Sequence, residues 1–336
     1  MKKILLNTKL VFAIILVSNL VYSQTDSIPS MRKEDRIRIA EAFRIADKYC
    51  KNLWTGWGKT PFPVLLVYAD YEFLVNLPEP GKDFNFVGYD SLLKSDVFYR
   101  KRVFDVYLLA TFPAINGIST VVVGTPENTG KNSAHWIVTL LHEHFHQFQY
   151  EQPDYYQSVN SLDLSGDDKT GMWMLNYPFP YENRIVDSVY TLMIKKLVSI
   201  FDDNKFTNEN LKEYLSLRDN FVNLLKEKDF KYFSFQLWQE GIARYTELQI
   251  ALLLSEHKDE YIPQMKTLSD FKDYNSIYNQ SYSNVRNLLN GLKLNESKRN
   301  CFYPLGAFEG LLLDKLSKPW KSEYFKKKFY LEKYFE

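Results

Sequence analysis

The sequence predicts an α+β protein in which a small mixed or antiparallel β-sheet precedes a mostly helical half. Two observations carry this. Between residues 61 and 125, short runs rich in β-branched and aromatic residues are separated by Gly, Pro and Asn. From Ser133 onward, apolar residues recur at helical spacing instead. Of the 336 residues, 45 % are apolar and 25 % charged, the proportions of an ordinary globular protein with ample material for a core. The 42 basic and 41 acidic side chains nearly cancel, which gives no reason to expect nucleic acid as a partner.

The chain opens with "MKKILLNTKLVFAIILVSNLVYSQTDS": two lysines, an apolar run, then small Ser23 before a polar stretch. This is the layout of a secretory signal peptide spanning residues 1–23. The uninterrupted apolar run, residues 10–17, is too short to span a bilayer comfortably. An exported product, periplasmic or secreted, with no stable membrane span after cleavage is the expectation. In such a compartment the two cysteines, Cys50 and Cys301, are free to pair, and two buried thiols fit equally well.

Residues 24–150 form the expected α+β half. "SMRKEDRIRIAEAFRIADKYC" places Ile37, Ile39, Ala40, Phe43, Ile45 and Ala46 at the spacing of an amphipathic helix. "PFPVLLVYADYEFLV", "KRVFDVYLLATFP" and "GISTVVVGT" read as strands. "SAHWIVTLLHEHFHQFQY" reads as a helix buried through Trp136, Ile137, Leu140, Leu141, Phe145 and Phe148, with Ser133 as its cap. Residues 151–336 form the helical half, with helices expected near 183–201, 210–225, 232–254 and 305–316, and a loop over 152–170. The boundary near 150 is soft, because one core could run through both halves.

Three of the five histidines lie within "HEHFH". At 100° per residue, His142 and His146 sit about 40° apart and about 6 Å along the helix, so their rings can converge on one cation. His144 points about 160° away from His146, toward the second shell or the surface, and His135 is about 10 Å along the axis from His142, too far to share the ion. The pair therefore spells H-E-x-x-H, in which two imidazoles bind zinc and the intervening Glu143 contacts the attacking water. A chance match on a core helix is the bland reading. It leaves several buried polar groups in search of partners.

A catalytic zinc needs a third protein ligand and an open position. Gln149 and Gln152 occupy the places where one known pattern puts a glycine and then a further histidine. The stretch about twenty residues downstream has no glutamate, only Asp163, Asp167 and Asp168 in apparent loop. "FQLWQEGIARYTELQ" supplies a better candidate in Glu240. Gly241 would allow close backbone packing, plausibly against the histidine helix. Arg244 could hydrogen-bond a carboxylate, and Glu247, two turns from Glu240, could orient a histidine from outside the ligand shell. His257 reads as a solvated helix end, and Glu309 and Asp314 as helix surface charges. "YPFPYENR", over residues 177–184, either lines a cleft or packs as a helix-entry loop.

"HEHFH" followed at long range by "EGIARY" resembles the glutamate-zincins (gluzincins), in particular exported bacterial members with a long insertion before the second motif. The resemblance covers roughly residues 133–254 and departs from the best-known clans in ligand spacing, which leaves the substrate open. It implies a zincin-like fold with the sheet packed on the H-E-x-x-H helix and an edge strand, within residues 103–125, that holds extended substrate. It also implies a zinc metallopeptidase acting on a peptide or protein, with His142, His146 and Glu240 as ligands and Glu143 as general base. A tyrosine often stabilises the oxyanion in such enzymes; Tyr303, in "CFYPLGAFEGLLLDKL", is the expected one and Tyr245 the alternative. A catalytically inactive zincin-like binding protein and a zinc hydrolase of non-peptide bonds are the competing readings.

Overall fold

The computed structural model describes residues 28–202, 206–316 and 319–335; the expected leader lies outside the described residues. The first helix, α1 (Lys33–Ile45), carries Glu34 and Asp35 in its first turn, where carboxylates suit the helix dipole. It continues as a π turn, Ala46–Cys50.

Six strands follow: β1 (Val64–Val67), β2 (Tyr71–Val75), β3 (Asn85–Asp90), β4 (Ser95–Lys101), β5 (Leu109–Ile115) and β6 (Ile118–Gly124). They form one mixed sheet in the order β3-β4-β2-β1-β6-β5, with β1 and β6 parallel and the other pairs antiparallel. The run expected as a single strand over residues 61–75 is the β1–β2 hairpin. The β3–β4 hairpin was not expected, because β3 is largely solvent-facing and gives no apolar alternation.

Alternation along β6 divides the core. Val121 and Val123 face the main helical core, whereas Val122 joins Leu65, Val67 and Leu74 on the opposite face. The helix α2 (Ser133–Tyr150) lies against the first face. Trp136 Nε1 donates to the Gly124 carbonyl at 2.9 Å, and Gln147 Nε2 donates to the carbonyls of Ser119 at 2.9 Å and Pro63 at 3.1 Å. Asn132, not Ser133, caps α2, accepting the His135 N–H at 3.0 Å. Ser133 is instead the first helical residue, tied through N and Oγ to Asp270 at 2.7 Å.

The second half contains α3 (Arg184–Ile200), α4 (Asn208–Asn223), α5 (Glu227–Gln236), α6 (Ile242–Glu256), α7 (Ile277–Gly291) and α8 (Phe302–Lys315). The helix expected over 232–254 is α5 and α6 joined through a π turn, Leu237–Gly241. Asn- and Ser-rich α7 was not expected. Residues 177–184 pack as a helix-entry loop: Tyr177 stacks on Tyr232 at 4.4 Å, Phe179 meets Phe302 edge-on, and Asn183 caps α3. A single buried cluster runs from Ile37 and Val121 through Phe145 to Ile242 and Phe308, so both halves share it.

Cys50 and Cys301 are both buried and free. Glu309 is not a surface charge. It is fully buried on α8, accepting from Tyr214 at 2.6 Å and Arg218 at 2.7 Å, because a buried carboxylate persists only beside such partners. Asp314 is exposed and accepts from Tyr245 Oη at 2.5 Å and Trp320 Nε1 at 3.0 Å.

Gly241 does not pack on α2 as expected. It meets Gly306 of α8: a Cβ built on Gly241 would lie 2.5 Å from the Gly306 Cα, and one on Gly306 would lie 2.6 Å from the Gly241 Cα and 2.8 Å from the Leu237 carbonyl oxygen. One turn on, a Cβ at Gly310 would lie 2.7 Å from the Tyr245 ring. The two helices thus cross with backbone against backbone. Gly306→Ala should lower stability by about 1–3 kcal/mol, since neither backbone can yield cheaply. Gly291→Ala, at the end of α7 with open space around its Cβ, is the control. Denaturant midpoints check this; a Gly306→Ala midpoint no lower than the control's would contradict the close crossing.

Candidate metal centre

Helix α2 has its histidines buried because the whole helix is. His142, Glu143, His144 and His146 are each under a tenth exposed. Of these, His142 and His146 gather with Glu240 into a cluster in which one potential ligand atom from each lies within 4.8 Å of the others. Glu240 Oε2 is 3.4 Å from His146 Nε2. Glu247 Oε2 approaches His142 Nδ1 to 3.1 Å, in ion-pair range but off hydrogen-bond alignment, so that Nδ1 has no hydrogen-bond partner. The two glutamates meet the two histidines in reverse chain order, as an antiparallel crossing of α2 and α6 requires.

The second nitrogen of each ring is accounted for. His146 Nδ1 lies 2.7 Å from Gln149 Oε1, and Gln149 Nε2 is held in turn by Tyr324 Oη at 2.8 Å and the carbonyl of Gln239 at 3.1 Å. His146 Nδ1 is engaged by Gln149 and His142 Nδ1 faces Glu247, which leaves both Nε2 atoms for a shared ligand. Two imidazoles and one carboxylate are a donor set that suits a borderline divalent cation such as zinc, with a position left open.

Charge coupling ties the cluster together. Burial alone would discharge His146, yet the Glu240 carboxylate outweighs it and raises the imidazole to about 9. Burial likewise opposes ionisation of Glu240, but His146 and His142 hold it down to about 2. For Glu247, burial is again overcome, chiefly by Arg244, whose Nη1 is 2.5 Å from Oε2.

Glu143 lies beside the cluster without belonging to it. Thr111 Oγ1, on edge strand β5, is 2.8 Å from Glu143 Oε2 and 2.9 Å from its carbonyl oxygen. Tyr303, on the first turn of α8, receives a hydrogen bond from Arg299 Nη1. Burial raises its phenol pKa, and the nearby Glu240 charge raises it further. Tyr245 is directed instead to Asp314 and is not part of the site.

The other candidates lie elsewhere. His144 is neither a surface residue nor near the cluster's ligand atoms: it is sealed on the far face of α2, stacked on Phe62 at 3.9 Å and bonded to Gln147, and burial lowers it to about 4. His135 bonds Asn132 at 2.9 Å, and half-exposed His257 pairs with Glu260. Asp163 pairs with Lys228, and Asp168 accepts from Thr170 and Trp173. The sequence reading missed Thr111, Gln149, Arg299 and Tyr150, which stacks beside His146 at 6.3 Å. Gln149 and Tyr150 follow His146 by three and four residues, so helical spacing alone places them near its face.

No protein-family model matches the chain, and no curated protein or solved structure matches it either.

Gln149→Leu removes the acceptor that orients His146 and should weaken zinc binding about 10–100-fold. Competition with a calibrated chelator measures this. Unaltered affinity in a folded Gln149→Leu variant would strip Gln149 of that role.

Proposed function

We propose that this chain is a zinc-dependent hydrolase, a metallopeptidase of zincin-like architecture that acts on peptide or protein substrates after export. The reading is supported above all by one juxtaposition: His142, His146 and a carboxylate nearly a hundred residues away converge, while Glu143 stands beside them outside the ligand set. A structural metal site would have no use for a further carboxylate at its rim, outside the ligand set. The sheet packed on α2 and the exposed position of β5 at the sheet edge agree with the same architecture.

His142, His146 and Glu240 would hold the ion, and when bound it supplies Lewis acidity to a carbonyl and to an attacking water. The chain's own groups do the rest. Thr111 engages Oε2 of Glu143 and leaves Oε1 to take the proton from that water. Glu143 then passes the proton to the departing amine. Arg299 occupies an acceptor position on the Tyr303 oxygen, so the phenolic proton is directed away from it and toward the cluster, where it can stabilise a developing oxyanion. The free edge of β5 offers backbone hydrogen bonds to an extended chain beside Glu143.

Metal analysis of the purified protein should find about one zinc per chain. A chelator should abolish hydrolysis of a peptide library, and added zinc should restore it. Glu143→Gln should keep its zinc and lose activity by about 100-fold or more. Full activity in the Glu143→Gln protein, or no metal under zinc-replete purification, would refute the reading.

A further inference from the structure

Arginines in this fold follow a rule with one exception. Among the described residues, the half-buried arginines Arg36, Arg44, Arg100, Arg244 and Arg286 each hold a carboxylate: Asp90, Glu41, Glu72, Glu247 and Asp202 respectively. The fully buried Arg38 and Arg218 do so as well. Arg299 is half-buried too, yet it forms no ion pair; its one hydrogen bond goes to the neutral Tyr303 hydroxyl, with the guanidinium 5.5 Å from that ring's centre. Its Nε and Nη2 donors have no protein partner among the described residues and are not sealed from solvent.

The position is as specific as the lack of a partner. Gly306 against Gly241 brings the first turn of α8 beside the turn that carries Glu240, so Arg299 and Tyr303 both feel the Glu240 charge. The segment before Arg299 is strained: Lys298 has φ +50° and ψ −131°, a conformation unfavourable for a residue with a Cβ. The fold therefore uses a strained segment to hold a guanidinium with two unpaired N–H donors close enough to feel the Glu240 charge. Guanidinium forks match carboxylates in bidentate geometry.

Resting on the peptidase reading above, we propose that Arg299 receives a carboxylate of the substrate, so that this site selects peptides with negative charge close to the scissile bond. Two sources share that chemistry, an acidic side chain and a free C-terminus. Lys131 extends the same polarity: it is half-buried, lacks an ion pair among the described residues, and feels the charges of Glu247 and Glu143. The site's three carboxylates bond to histidines, Arg244 or Thr111, and although the Glu240 charge acts on Arg299, none of them reaches ion-pair distance of it among the described residues.

The test uses the zinc-loaded full chain and four peptides of one sequence, with Glu or Gln near the cleavage point and a free or amidated C-terminus. The wild type should favour one carboxylate form over its neutral match by at least about tenfold in kcat/KM, and whichever pair shows the preference identifies the source. Arg299→Gln should bring that ratio to about one, and Arg299→Lys should retain part of it. The ratio is the readout because losing support for Tyr303 slows both peptides alike. A wild-type ratio near one in both pairs, or a ratio that survives in Arg299→Gln, overturns the proposal. Should Arg299→Gln fail to fold, Arg299→Lys decides, a lowered ratio supporting and an unchanged one opposing. Binding of the same peptides to the Glu143→Gln chain separates the two readings: if the wild type cleaves none of them, the hydrolase reading falls, and the ratio of dissociation constants then judges Arg299 by the same criteria.

Discussion

Gly241 and Gly306 touch, and the candidate site exists because they do. Helices ordinarily pack with their axes about 8–10 Å apart, separated by side chains. Here two residues without side chains let α8 press on the turn that carries Glu240, and a third, Gly310, makes room for the Tyr245 ring one turn further along. At ordinary spacing the first turn of α8 would stand well clear of Glu240, and neither Tyr303 nor Arg299 would sense it. The π turn at Leu237–Gly241 belongs to the same construction. Such turns interrupt the regular hydrogen-bond ladder and concentrate at functional positions; this one presents Glu240 toward α2 and Gly241 toward α8.

The charges follow from that geometry. Three glutamates are drawn into a poorly hydrated space, and burial opposes the ionisation of Glu240 and Glu247. Histidines and Arg244 reverse the outcome, so the site carries ionised carboxylates that only nearby positive charge can keep ionised. His146, raised to about 9 by the Glu240 carboxylate, contributes to that positive charge. The contrast with Glu309 is instructive. It is equally buried, but Arg218 and Tyr214 satisfy it completely, and nothing is left over to bind a ligand. Glu240 and Arg299 differ in that their compensation is incomplete, which distinguishes a site from a structural ion pair.

What could be read from the sequence was local. The convergence of His142 and His146 is a property of helical spacing, and it needs no knowledge of the rest of the chain. Glu240 was legible through its setting, a carboxylate before a glycine in an apolar helix, but the glycine's partner was not, because Gly306 is sixty-five residues away and nothing in the local pattern points to it. The errors share this cause. His144 was expected in the second shell or at the surface and Glu309 at the surface, because charge and polarity usually go there, whereas Phe62 and Arg218, distant in sequence, supply each with a buried partner. Ser133 lost the cap to Asn132 by one residue, since Asp270 takes the serine's donors instead. The solvent-facing strand β3 and the polar helix α7 had too little apolar periodicity to be seen at all.

The two histidines differ in their outer partners. His146 faces an amide oxygen, that of Gln149; His142 faces a carboxylate, that of Glu247. Arg244 binds the same Glu247 oxygen that approaches His142, so that carboxylate is held from two sides. On the other side, Glu240 lies against His146 directly and raises its pKa. Each of the two histidines therefore meets one carboxylate from the segment that runs from Glu240 to Glu247, and the two contacts, one at each end, fix how α2 and α6 cross. A shift of either helix along its axis would break both contacts together, which is why the pair of histidines and the distant glutamate form one geometric unit and not three independent side chains.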